Sequence, residues 1–225
     1  MFSNQEGKRK KKKKHSVANY FVSLPITNEK ILENIQIFQD SVVQKDDRFS
    51  SVMKNKGSYH LTLCLMQINR EEDVSIAIDA LLESKVKIED ILQGKDLVLQ
   101  FLGVSHFNNQ VVFAKIAEDP SKATLKEITD TVKNTFKDKE LFKVVNNSSI
   151  PHLTLMNMES APDLQEQGVI IYPSLYRTFR KHYFGDETVS RLDLCSMDKA
   201  RQPDGYYHTE ASIFIGHSLK TFRDS

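Results

Sequence analysis

His60-Leu61-Thr62-Leu63 recurs as His152-Leu153-Thr154-Leu155, 92 residues further along the chain. Side chains two apart in a β-strand share a face, so each copy sets a histidine and a threonine on one side and two leucines on the other. The leucine side belongs against a core. Two such strands packed side by side present two imidazoles and two hydroxyls to one groove. A single H-x-T is commonplace in half-buried strands, whereas a repeated H-L-T-L in similar surroundings points to a shared site.

Working outward, the stretch ANYFVSLPITN (18–28) reads as a β-strand stopped by Pro25. Asn28 is placed to cap a helix whose Ile31, Leu32, Ile35, Phe38 and Val42 fall at helical spacing. The first motif strand follows Gly57-Ser58, and a second helix runs through Ile76, Ile78, Leu81 and Leu82. Leu97, Leu99 and Phe101 alternate with other residues, and Asn108-Asn109 separates them from Val111-Val112-Phe113, which suggests a strand pair. Pro120 suits the start of a third helix that turns Leu125, Ile128, Val132 and Phe136 inward. After the second motif comes a helical region with Leu164, Leu175, Tyr176 and Phe179, divided at Gly168 and Pro173. RLDLCSM and YYHTEASIFIG flank the turn Pro203-Asp204-Gly205 and predict a closing hairpin. The order β-α-β-α-β-β, then α-β-α-β-β, predicts a single α/β or α+β unit of two related lobes.

Composition narrows the function classes. At 225 residues, 40% hydrophobic and 27% charged, the chain is globular in composition, and no apolar run approaches the roughly 20 residues of a membrane-spanning helix. The net charge of +1 is unevenly spread, because the run KRKKKKK (8–14) holds 7 of the 31 basic groups. Residues 15–225 carry 24 basic against 29 acidic side chains, which argues against a domain that grips nucleic acid by bulk phosphate neutralisation. Residues 1–16 read as a disordered basic tail, 17–216 as the folded domain and 217–225 as a short polar tail. The basic run reads as a nuclear-import signal, an anionic-surface anchor or a solubilising arm; import is the preferred reading, so the expected location is nucleus and cytoplasm. Cys64 and Cys195 form no C-x-x-C pattern and read as buried thiols of a reducing compartment.

The repeated motif suits phosphodiester chemistry that needs no metal or other cofactor. An imidazole is neutral or protonated near pH 7, so one can take a proton from an attacking hydroxyl while the other protonates the leaving oxygen. Threonine hydroxyls can hold non-bridging phosphate oxygens as charge develops. The candidate catalytic residues are His60, Thr62, His152 and Thr154.

With NYFVSLPITN (19–28), HLTLCLMQI (60–68), IDALLE (78–83), ILQGK (91–95), PHLTLM (151–156), RLDLCSM (191–197) and GYYH (205–208), the chain resembles the 2H phosphoesterase superfamily. Within it, the chain is similar to the central domains of A-kinase anchor proteins. The resemblance implies a bilobal, pseudo-twofold fold with a central groove, His60 and His152 as the acid-base pair and Thr62 and Thr154 as phosphate ligands. It also implies binding of nucleotides such as AMP, and cleavage of 2′,5′-oligoadenylate as in some relatives, with a neighbouring 3′-hydroxyl attacking phosphorus. Ser196 matches a position near the groove in such proteins and reads equally well as a half-buried strand serine.

Tyr206 and Tyr207 are candidates for stacking on a base, one of the two being expected to face the core. His15, His106, His182 and His208 lack a matching partner pattern and read as surface or satisfied residues. Arg177, Arg180 and Lys181 suggest either positive potential near a nucleotide or a solvated helix face. Anchor proteins dock on the regulatory subunit of protein kinase A through an amphipathic helix. The terminal HSLKTFRDS is too short and polar for one, so that partnership is doubtful here. Two classes stay open: a phosphodiesterase acting on 2′,5′-oligoadenylate or RNA ends, and a non-catalytic AMP- or CMP-binding module of an anchoring scaffold.

Overall fold

A computed structural model describes residues 18–139, 143–145 and 151–216. The expectations for the basic tail, for His15 and for residues 217–225 lie outside the described residues.

The chain opens with β1 (Tyr20–Pro25) and α1 (Glu29–Lys45). Asn28 caps α1 as expected, its side chain accepting from the backbone N–H of Lys30 and Ile31. Next come β2 (His60–Gln67), α2 (Val74–Leu92), β3 (Leu97–Phe107), β4 (Val111–Ile116) and α3 (Pro120–Lys137). Asp119 accepts from Ser121 and Lys122 at the start of α3, with Pro120 in the first turn where its missing N–H costs nothing. The remainder is β5 (Lys143–Val145), β6 (Leu153–Asn157), α4 (Pro162–Glu166), β7 (Tyr183–Val189), β8 (Arg191–Ser196) and β9 (His208–Phe214). The helical region between β6 and β7 is divided as expected, into α4 and a 3₁₀ segment Pro173–Phe179, with Gly168 at φ +70° between them.

Nine strands form two antiparallel sheets among the described residues, ordered β5-β2-β1-β8-β9 and β6-β4-β3-β7. The chain weaves between them: α1 leaves the first sheet to pack on β7 of the second, whereas α2 and α3 pack together, α2 on β9 and α3 on β2. A continuous core joins the lobes through Phe38, Leu61, Phe101, Leu153 and Phe184. Glu187 ties them again. Buried on β7, its carboxylate accepts from the Thr27 N–H, the Thr27 hydroxyl and the Asn28 N–H, which fixes the β1–α1 turn.

The internal echo extends to a shared irregularity. Ser23 pairs with Thr62 and Val22 with Cys64, leaving Leu63 as an extra residue. Phe113 pairs with Thr154 and Val112 with Met156, leaving Leu155 extra in the same way. Each motif thus carries a β-bulge at its second leucine. The bulge lets two consecutive side chains, Leu63-Cys64 and Leu155-Met156, enter the core while His and Thr keep the opposite face.

Candidate active site

β2 and β6 come into contact where the two sheets meet. Above them lies a groove of about 420 Å³, lined by His60, Thr62, His152 and Thr154 together with Phe21, Lys54, Ser58, Pro151, Asn157, Met197, Arg201 and Tyr207. The groove gathers both H-x-T pairs.

His60 is held from both ring nitrogens. Its Nδ1 lies 2.7 Å from the Ser58 carbonyl oxygen, which can only accept, so Nδ1 carries the proton. Nε2 is left with its lone pair, 3.2 Å from the Thr62 hydroxyl. Burial in the cleft pushes the His60 pKa down to about 4, further lowered by Lys54, Arg201 and His152, with the Ser58 carbonyl opposing. His60 is therefore neutral at pH 7.

Both histidines rest on aromatic rings. His60 packs against Phe21 at 5.0 Å and meets the edge of Tyr207 at 5.3 Å. His152 sits 4.9 Å from Phe107 and 5.2 Å from Phe113, which stack on each other at 4.4 Å. These contacts restrict how the imidazoles turn. The Arg201 guanidinium lies 3.9 Å over the Tyr207 ring and donates to the Gly205 carbonyl oxygen at 3.0 Å. With Lys54, it gives the groove two fixed cations beside the histidines, an arrangement that favours a phosphate.

The two tyrosines divide between core and groove, although neither lies in the strand whose alternation was expected to divide them. Tyr207 lines the groove, whereas Tyr206 is buried, accepts from Ser23 at 2.7 Å and donates to the Asp193 carboxylate at 3.0 Å. Burial pushes its phenol pKa up, so it stays protonated. Both precede β9, which begins only at His208, so the expected strand is shorter at this end.

Ser196 is placed away from the groove. It pairs with Tyr20 while Cys195 pairs with Phe21, so Cys195 and not Ser196 shares the face of the groove-lining phenylalanine. The Ser196 hydroxyl instead accepts from the N–H groups of Asp198 and Lys199 and closes a turn. Cys64 and Cys195 are free and buried, and burial pushes both thiols up to about 12.

The remaining described histidines have structural partners. His182 donates to Asn34 at 3.0 Å and burial lowers its pKa, His106 accepts from the Asn109 N–H, and His208 lies 3.6 Å from Glu210. Among the described residues, no group of three or more His, Cys, Asp or Glu side chains is arranged to hold a metal ion.

Lys54, Arg201 and Phe21 were not anticipated. Phe21 was legible in principle, since it alternates with the core residues Tyr20 and Val22. Arg201 and Lys54 belong to irregular segments whose return to the groove depends on long-range folding. The only local hint for Arg201 is the turn at 203–205, which brings it back onto Tyr207.

Comparison with known proteins gives the family of the chain and likenesses in fold. Residues 18–215 match the family model described as the AKAP7 2'5' RNA ligase-like domain. The chain is 47% identical over 215 residues to human A-kinase anchor protein 7 isoform gamma, with 95% of this chain and 62% of the relative aligned. It thus spans less than two thirds of that protein. Among solved structures, it is similar to Escherichia coli LigT complexed with 3'-AMP, at TM-score 0.53 and 13% identity, covering 88% of this chain and 98% of that one. Kluyveromyces marxianus Usb1 with uridine monophosphate gives TM-score 0.50 at 13% identity, covering 89% and 99%. These distant likenesses speak for the fold.

Proposed function

Because this chain belongs to the AKAP7 2'5' RNA ligase-like domain family of 2H phosphoesterases, we propose that its groove is the active site of a metal-independent phosphodiesterase for 2′,5′-oligoadenylate. The observation that carries the reading is the convergence of both H-x-T pairs on one groove with Lys54 and Arg201 beside them.

His60 is the base in this reading. Its Nε2 lone pair takes the proton of a ribose 3′-hydroxyl, while the Nδ1–H···O=C bond to Ser58 holds the ring and stabilises the imidazolium that forms. O3′ bonds to phosphorus, the bond from phosphorus to the 5′-oxygen of the next nucleotide breaks, and His152 protonates that oxygen. The products are a 2′,3′-cyclic phosphate and a chain with a free 5′-hydroxyl. Thr62 and Thr154 donate to the non-bridging oxygens, and Lys54 and Arg201 offset the charge. The bound phosphate raises the His60 pKa toward the range where a base works best. Tyr207 and Phe107 offer rings to the flanking bases.

Residues 8–14 direct the protein to the nucleus in the same reading, and deleting them is expected to abolish nuclear accumulation of a tagged protein. To test the activity, 2′,5′- and 3′,5′-linked adenylate oligomers of equal length are incubated with the protein in EDTA and the products separated by chromatography. Selective cleavage of the 2′,5′ linkage with formation of the cyclic phosphate supports the reading. AMP binding without cleavage of either oligomer replaces it with the nucleotide-binding module of an anchoring scaffold.

A further inference from the structure

The sheet ordered β6-β4-β3-β7 has one face on the core and a second, partly exposed face whose Thr154 end lies in the groove. Residues directly opposite on paired strands share a face, so the register traces the open one. Thr154 lies opposite Phe113, Phe113 opposite Ser105, and Leu102 opposite Tyr183. The face therefore leads from the catalytic threonine across Phe113 and Phe107 to Leu102 and Tyr183, three strand spacings or about 14 Å away.

Its side chains are unlike those of an ordinary solvated sheet. Phe107 is 41% exposed, Leu102 39% and Tyr183 46%, so apolar surface stays in water along the path, with a ring at either end. Lys115, two residues after Phe113, is exposed on the same face, and its stem passes 3.2 Å from where a Cβ on Gly103 would lie. Gly103, at φ +75°, belongs to the bulge that starts beside Leu102. Its N–H donates to the His182 carbonyl at 2.6 Å, and the Arg180 carbonyl packs on its Cα. The basic-aromatic segment 177–184 is thereby fastened to the far end of the face. Asp186, opposite Gln100, marks an acidic boundary beyond Tyr183.

Exposed rings interleaved with a few cations bind a single-stranded nucleic acid by stacking, and the strip is continuous with a groove read as a phosphodiester site. Resting on that reading, we propose that this face is a track for the nucleotides of a single-stranded oligonucleotide that extend beyond the scissile phosphate, with Phe107, Lys115 and Tyr183 as its contacts. The overall negative charge of the folded part does not oppose this, because the binding is local stacking with few phosphate contacts.

The test is fluorescence anisotropy with labelled 2′,5′-linked adenylate dimer and hexamer, each 3′-O-methylated so that no hydroxyl can attack. The wild type is expected to bind the hexamer about tenfold more tightly than the dimer. Tyr183→Ala and Lys115→Glu remove most of that advantage and leave dimer binding unchanged, while Tyr183→Phe retains it. Equal affinity for dimer and hexamer in the wild type overturns the track, as does an advantage that survives Tyr183→Ala. Cleavage of the unmethylated oligomers is measured beside this: a length advantage without cleavage leaves the track and removes the enzyme, and cleavage without a length advantage does the reverse.

Discussion

The Nδ1 of His60 lies 2.7 Å from the carbonyl oxygen of Ser58, and this contact decides which nitrogen faces the chemistry. A carbonyl accepts only, so the proton resides on Nδ1, and Nε2, 3.2 Å from the Thr62 hydroxyl, keeps the lone pair of a base. Burial holds the pKa near 4. The expected outcome is that nitrogen-detected NMR finds the Nδ1–H tautomer of His60 at pH 6, with titration near pH 4 that moves upward when AMP is added. Titration near 6.5, unaffected by AMP, would contradict this.

The same depressed pKa enters folding stability. His60 and His182 both have folded pKa values lowered by burial from 6.5, so the unfolded chain takes up protons first as the pH falls. The contribution of these two rings to stability is full above about pH 6.5 and declines below it, that of His60 being lost as pH falls toward 4. Urea denaturation at stepped pH is expected to show this slope, and His60→Gln is expected to flatten it in part. A slope unchanged by that substitution assigns the loss to other groups.

Arg201 stands 3.9 Å above the Tyr207 ring, whose edge meets His60. Tyr207→Ala removes the platform under the guanidinium, and Arg201→Ala removes the charge. Each is expected to weaken AMP binding several-fold, in line with about 1 kcal/mol for a partly exposed cation–π contact. Tyr207→Phe keeps the ring and is expected to bind as the wild type. Calorimetry with AMP distinguishes these outcomes.

Behind the groove, the Tyr206 hydroxyl joins Ser23 to Asp193, and Asp193 also accepts from Ser212 at 2.6 Å and pairs with Arg191 at 3.1 Å. Tyr206→Phe leaves buried acceptor capacity unpaired and is expected to cost about 1–3 kcal/mol in denaturant unfolding. AMP affinity changes little, because this side chain does not line the groove. A large loss of affinity with unchanged stability would assign Tyr206 a direct contact.

Much of this was legible locally. The H-L-T-L echo, the Asn28 cap, Pro120 and the Asn108-Asn109 turn each act over a few residues, and each is found where the sequence implied. β7 was not legible, because YFGDETV interrupts its apolar positions with Gly185 and with Glu187, which is buried for the sake of the β1–α1 turn. The three-residue β5 is too short for a periodic signal. Ser196 was misplaced because strand parity decides its face, and the pairing of Cys195 with Phe21 fixes that parity only in three dimensions. Lys54 reaches the groove through tertiary folding that no local pattern encodes, and Arg201 has only the turn at 203–205 as a local hint.

Central to the function is the claim that one groove uses both histidines as a proton-transfer pair. The measurement that tests it most directly is the rate of 2′,5′-oligoadenylate cleavage in EDTA by wild type, His60→Ala and His152→Ala, with AMP affinity and unfolding measured on the same samples. The expected result is a loss of at least about 100-fold in rate for each variant, with folding intact and AMP still bound. Cleavage that persists in either variant at near wild-type rate would contradict the paired-histidine site.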